Sequence, residues 1–221
     1  MRAFSHAVDL GFTHLETDAH VTADGVVVAF HDDVLDRVTD RRGVVASLPW
    51  AEVAAARIAG EAPVRLDELL LAFPDVRLNI DPKHDAVVEP LARLLHELDA
   101  LDRVGVGSFS DRRLARLRAR CGPRLVTSVG PAQLLRLRYL GWGRSSADCV
   151  QVPERWRRLR FIDEGFVARC HRRGMQVHVW TVDEPGAMHR LLDLGVDGLI
   201  TDRPTVLKEV LVERGAWFSR G

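Results

Sequence analysis

Short apolar runs alternate along the chain with longer stretches whose apolar positions recur every three or four residues. The short runs, at 12–18, 26–30, 76–81, 103–108, 124–128, 148–152, 175–181 and 197–201, predict strands. The longer stretches at 85–99, 111–120, 163–173, 184–194 and 204–213 predict helices. Gly174 and Gly195 stand just past two of these helices, where a C-terminal cap is expected. Such alternation predicts an α/β protein with a parallel sheet and helical crossovers. The number of units favours a closed β/α barrel over an open doubly wound sheet. No Gly-rich phosphate fingerprint follows any strand, which further disfavours the open sheet.

Two stretches depart from the alternation. Between Asp18 and Val26 stand seven residues that include the turn Ala23-Asp24-Gly25, too few for a helical crossover. Periodicity alone predicts a hairpin there. Residues 33–75 carry only weak helical pattern, near 50–58 and 66–73, and are expected to form an excursion from the barrel. No repeat, low-complexity tract or Pro/Ser-rich linker marks a boundary, so residues 1–221 are expected to form a single domain.

Composition narrows the function classes. The 31 basic and 31 acidic residues balance, and no basic stripe interleaved with aromatics argues for nucleic-acid binding. The Arg-rich segment 112–120 carries Leu114 and Leu117 at helical spacing and is expected to be a solvated helix face. Only Lys83 and Lys208 are lysines; every other basic residue is arginine. Cys121, Cys149 and Cys170 are odd in number and widely spaced, as buried free thiols in a reducing cytoplasm would be. No run of ~18 apolar residues could span a bilayer, and no signal-peptide stretch follows Met1. A cytoplasmic location is therefore expected, unless a preceding segment carries a targeting signal.

Three strand ends carry candidate chemistry. In Phe12–Asp18, Glu16 and Asp18 are two apart and share one face near the C-terminal end, where β/α barrels place their active sites. Two converging carboxylates attract a hard cation such as Mg²⁺ or Ca²⁺; an ordinary acidic strand edge is the alternative. The apolar run Val26–Phe30 ends in His31 and Asp32, and a histidine there suits general acid or base work or a merely structural role. Asn79, Asp81 and Lys83 share a face of the third strand, which Pro82 brings to an end. In a chain that uses arginine almost everywhere, a lysine at a strand end suggests that a compact ammonium is wanted there.

The segment Gly11-Phe12-Thr13-His14-Leu15-Glu16-Thr17-Asp18-Ala19-His20-Val21-Thr22-Ala23-Asp24-Gly25 resembles the signature of the glycerophosphodiester phosphodiesterase family. Val27–Thr39, Leu66–Leu70, Asn79–Lys83, Ser108-Phe109, Val179–Val182 and Gly195–Pro204 resemble further family motifs, in order and over nearly the whole chain. The resemblance implies a distorted TIM (β/α)8 barrel of the phospholipase C-like phosphodiesterase type. It implies one divalent cation, Mg²⁺ or Ca²⁺, bound by Glu16, Asp18 and Asp81. His31 would be a catalytic acid/base, Lys83 would neutralise phosphate charge, and Trp180 would line the pocket near the leaving alcohol. The implied reaction, in lipid and glycerol metabolism, is hydrolysis of a small-molecule glycerophosphodiester to glycerol phosphate and an alcohol.

The family begins with a strand ending in His-Arg-Gly and then a Pro-Glu-Asn segment, whereas here Arg2–Ala7 matches the helix that follows them. The first strand is therefore expected to be missing, with one catalytic histidine, an arginine and a metal-site carboxylate, and the chain is expected to hydrolyse its substrate poorly or not at all. His6, His14 and His20 do not stand at those positions, and Asp81 replaces a more usual glutamate. Restoring that strand to the eight predicted ones gives nine, so 124–128 or 148–152 is expected not to be a barrel stave. The family barrel lacks a helix at the short 18–26 connection, and this reading overrides the hairpin. Alternatives are a non-catalytic barrel that binds a phosphate ligand or partner, and an unrelated barrel enzyme acting on a phosphosugar. The oligomeric state stays open.

Overall fold

The structure, a computed structural model, describes residues 1–140, 147–156 and 159–217. It falls into two compact units, Met1–Ser5 with Thr13–Val126, and His6–Phe12 with Thr127–Gly221. Helix α1 (Arg2–Asp9) contributes residues to both.

The first unit is built on strands β1 (His14–Val21), β2 (Val27–Ala29), β3 (Val64–Arg65), β4 (Arg77–Pro82) and β5 (Val104–Val106), and the sheet order is β3-β2-β1-β4-β5-β6, where β6 (Val126–Thr127) contributes one residue to each unit. β1 and β4 run parallel, with Leu15 opposite Leu78, Thr17 opposite Ile80 and Asp18 opposite Asp81. Leu15, Thr17 and Ile80 are buried, while Glu16, Asp18, Asn79 and Asp81 fall on the other, half-buried face. The period of two set by the pleat thus puts apolar side chains into the core and polar ones together on the opposite side.

Helices α2 (Trp50–Ala54), α3 (Leu66–Ala72), α4 (Val88–Glu97) and α5 (Asp111–Cys121) accompany this sheet. α4 buries Val88, Leu91, Ala92 and Leu95, and α5 buries Leu114, Leu117 and Cys121, so each turns one apolar stripe inward. Ser110 caps α5 by accepting a hydrogen bond from the Arg113 backbone N–H.

Three expectations need correction. β1 and β2 form an antiparallel hairpin, Ala19 opposite Ala29 and Val21 opposite Val27, so the periodicity reading holds and its replacement by a helix-less barrel connection does not. The turn is fixed by Asp24, which accepts from the Thr22 hydroxyl at 2.5 Å and from the Trp50 backbone N–H at 2.9 Å. Consequently the strand that is not a parallel stave is 26–30, rather than 124–128 or 148–152. Residues 149–153 pair in parallel with 176–180, and Ser128 bridges in parallel to Cys149. Finally, Arg112–Arg120 is not solvated throughout: Arg113 is largely buried, donating to the Pro82 carbonyl at 2.7 Å and to Ser108 Oγ at 2.9 Å.

Residues 33–75 pack with β2 around their own small core of Val28, Phe30, Leu35, Val45, Val53 and Ala56.

The second unit holds α6 (Pro131–Leu135), β7 (Cys149–Pro153), a short hairpin of β8 (Arg155–Trp156) and β9 (Leu159–Arg160), α7 (Glu164–His171), β10 (Gln176–Trp180), α8 (Pro185–Asp193), β11 (Gly198–Leu199) and α9 (Pro204–Glu213). β7, β10 and β11 form a parallel sheet in the order β11-β10-β7. Its core includes Val150, Val152, Phe166, Val177, Val179, Met188 and Leu191. Gly174 and Gly195 adopt φ of +71° and +81°, as expected of residues that end helices α7 and α8. A Cβ at Gly198 would press within 2.9 Å of the His178 ring, so a larger residue there would require that ring to move.

All three cysteines are buried and free. Burial pushes the Cys170 thiol up to about 11 and that of Cys121 above its usual value. A thiol-specific reagent such as DTNB is therefore expected to label none of them in the folded protein and all three in denaturant. Rapid labelling under native conditions would contradict the packing of β7, α5 and α7.

No helix among the described residues is long and apolar enough to cross a membrane.

Candidate active site

Parallel pairing of β1 with β4 brings the Asp18 and Asp81 carboxylates to directly opposed positions, with Glu16 one pleat earlier on the same face. Pro82 ends β4, and the next residue, Lys83, is held by its backbone N–H to the Ala19 carbonyl at 3.0 Å. The lysine thereby returns over the two carboxylates. Its Nζ lies 2.5 Å from Asp18 Oδ1 and 3.1 Å from Asp81 Oδ2. Burial works against the ammonium, but Asp18 and Asp81 outweigh it and hold Lys83 above its ordinary pKa. Burial also lifts the Asp81 carboxyl above the usual range, opposed by Lys83.

Asp81 Oδ1 is the buried side-chain oxygen among the described residues that has no hydrogen-bond partner. A buried carboxylate oxygen left unpaired is costly, and a hard cation is one way to satisfy it. The donor set of Glu16, Asp18 and Asp81 is all oxygen, and three carboxylates against one ammonium leave two negative charges to balance. An all-oxygen set of this kind has the donor chemistry that a hard divalent ion such as Mg²⁺ or Ca²⁺ prefers.

His31 is placed by the β2 end: Phe30 N–H donates to the Asp18 carbonyl at 3.0 Å, so the chain leaves β2 beside the β1 strand end. The His31 imidazole is 70% exposed, and its Nδ1 pairs with Asp32 Oδ1 at 2.6 Å instead of with the carboxylate cluster. Arg37 clamps the same Asp32 through Nε at 2.6 Å and Nη2 at 2.7 Å. Hydrogen bonds from Arg37, then His31, hold the Asp32 carboxyl well below the usual range. Asp32 and Arg37 were legible in sequence only as neighbours of His31; their bidentate geometry needs the loop conformation.

Trp180 ends β10 in the second unit and is half-buried. The two motifs that follow β10 and β11 meet there: Val182 N–H donates to the Ile200 carbonyl, and Asp183 accepts from Thr201 Oγ1 at 2.8 Å and from Asp202 N–H at 2.9 Å.

Sequence reasoning missed a further group. His20, on β1, is 1% exposed and directs Nε2 at the His31 carbonyl, 3.2 Å away. Burial lowers its pKa. Asp33 and His84 stand close by, paired at 2.8 Å. The only sequence signal was position: each lies within two residues of a site candidate.

The family model of the glycerophosphoryl diester phosphodiesterases matches residues 1–206. A relative from Mycobacterium tuberculosis, named probable glycerophosphodiester phosphodiesterase 2, is 42% identical over 98% of this chain and 86% of its own. The crystal structure of a glycerophosphodiester phosphodiesterase from Agrobacterium tumefaciens superposes with a TM-score of 0.77, at 21% identity, covering 94% of this chain and 90% of that one. A phosphodiesterase of Oleispira antarctica, solved with the product sn-glycerol-3-phosphate, gives a TM-score of 0.79 at 20% identity, covering 95% and 89%. The shared fold is of the TIM-barrel type.

Proposed function

The chain belongs to the glycerophosphoryl diester phosphodiesterase family, and on that premise we propose that it hydrolyses glycerophosphodiesters to glycerol phosphate and an alcohol. The observation that supports this reading most is the opposed Asp18–Asp81 pair with Lys83 between them and Asp81 Oδ1 unpartnered.

Glu16, Asp18 and Asp81 would hold the divalent ion, Mg²⁺ or Ca²⁺. When bound, that ion supplies Lewis-acid polarisation of the phosphate. Lys83 then turns its ammonium from the carboxylates to the phosphate oxygens and stabilises the charge that builds there as water adds to phosphorus. His31 would take the proton that the attacking water loses and deliver one to the alcohol oxygen as the bond between phosphorus and that oxygen breaks. Asp32, itself clamped by Arg37, holds the imidazole in one orientation and one tautomer. By the family resemblance alone, Trp180 would contact the alcohol portion of the substrate. The three buried free thiols support a reducing, cytoplasmic location.

Incubation of the 221-residue chain with glycerophosphocholine or glycerophosphoethanolamine and a divalent ion tests the reading, with release of sn-glycerol 3-phosphate measured enzymatically. Release that is unchanged when Glu16→Gln is combined with Asp18→Asn would sink it. Within an active preparation, Lys83→Arg is expected to lower kcat although it keeps the charge. A planar guanidinium cannot seat where the ammonium contacts two half-buried carboxylates, and a misplacement of about 1 Å can cost ~10²-fold. Unchanged kinetics would reduce Lys83 to a structural ion pair.

A further inference from the structure

We propose that His20, Asp33 and His84 form a second metal site, one that takes a borderline transition ion such as Zn²⁺ or Co²⁺ and is separate from the carboxylate site.

His20 is unusual in this chain. It is the one ionisable side chain among the buried polar residues described, the others being Thr17, Thr22, Thr127 and Ser128. A buried imidazole needs partners, and His20 Nε2 faces two oxygens, the His31 carbonyl at 3.2 Å and Asp33 Oδ1 at 3.9 Å. His84 approaches from the segment after β4, placing Nε2 2.8 Å from the same Asp33 oxygen. The two imidazole rings lie 5.3 Å apart, tilted by 56°. One donor atom from each of the three residues thus falls within 4.8 Å of the others.

Those separations suit a small ion. Ligands at about 2.0–2.2 Å from a tetrahedral centre stand roughly 3.4 Å from one another. The observed 2.8 Å and 3.9 Å lie on either side of that value. The residues that must adjust are the ones free to do so: Asp33 and His84 side chains are 65% and 49% exposed, whereas His20 is fixed in β1. Two imidazoles and a carboxylate favour zinc, cobalt or nickel over the hard ions that an all-oxygen set prefers. The donors of the two sites are disjoint, so one can be removed without the other.

Cobalt is the probe of choice because its visible absorption reports nitrogen ligation independently of catalysis. Addition of Co²⁺ to the full chain is expected to produce a visible d–d band that saturates at one equivalent. Millimolar Mg²⁺ should leave that band in place. His84→Ala and Asp33→Asn, both at exposed positions where folding is expected to survive, should each lose it, while Asp18→Asn should keep it. The circular dichroism of each variant confirms its fold. The proposal is overturned if no such band appears, if it persists in both His84→Ala and Asp33→Asn, or if Mg²⁺ or Asp18→Asn removes it. The last outcome would assign the ion to the carboxylates and leave His84–Asp33 an ordinary surface pair.

Discussion

Millimolar Mg²⁺ or Ca²⁺ is expected to raise the thermal unfolding midpoint of the protein, and Glu16→Gln combined with Asp18→Asn is expected to abolish the rise. Asp18 and Asp81 are held at opposed positions by the β1–β4 register, so the fold prepays the cost of bringing them together. A ligand that binds only the native state stabilises it by about 2.7 kcal/mol at a hundred times its dissociation constant. For a domain of about 150–250 residues, this corresponds to a rise of roughly 5–10 °C. Asp81 remains in the double variant, so Lys83 keeps one counter-charge and the fold keeps its ion pair. The informative quantity is the difference between scans with and without the ion. An equal rise in wild type and variant would place the ion elsewhere, and no rise in wild type would remove the carboxylate site from the mechanism.

His31→Ala is expected to lower kcat by ~10²–10⁴-fold, the range for losing a positioned acid/base group. Its effect on KM should be small, because an imidazole in the proposed role would act on a proton in flight and anchor little of the substrate. The 70% exposure of the ring and its Asp32 hydrogen bond are consistent with a side chain held ready at a surface, with no core to support. Removing it should therefore leave the unfolding midpoint nearly unchanged. Asp32→Asn should also lower kcat, by less, since it disturbs the orientation of the imidazole and leaves the ring in place. Steady-state kinetics of both variants beside their melting curves makes the comparison. A His31→Ala enzyme within a few-fold of wild type would show that His31 takes no part in proton transfer.

The elements were legible because their signals are local. Leu15, Thr17 and Ala19 alternate with Glu16 and Asp18, and the buried face of the resulting strand is the one that this alternation names. Leu114 and Leu117 announced α5, and Gly174 and Gly195 marked helix ends that require positive φ. The hairpin at 18–26 was legible for the same reason: a short connection with an Asp-Gly turn constrains its own geometry. The analogy of a barrel connection points the other way there, and the local signal prevails. Arg113 shows the opposite limit. Helical periodicity gave its helix but not its inward course to Pro82 and Ser108, because a long side chain reaches partners well beyond its own turn.

The amino-acid sequence by itself determined which residues are candidates for the chemistry: two carboxylates two apart on a strand, a histidine at a strand end, and a lysine kept where arginine is the habit. Those patterns follow from backbone periodicity, which each segment obeys alone. Only the tertiary structure decided which of them meet. The β1–β4 register sets Asp18 against Asp81, and Lys83 folds back between them. The return of the chain after β2 and β4 gathers His20, Asp33 and His84, three residues whose sequence spacing suggested nothing. Pairing across a sheet joins positions tens of residues apart, and the free energy that selects one register comes from burying Leu15, Leu78 and Ile80 together, a property of the packed sheet that no single segment contains.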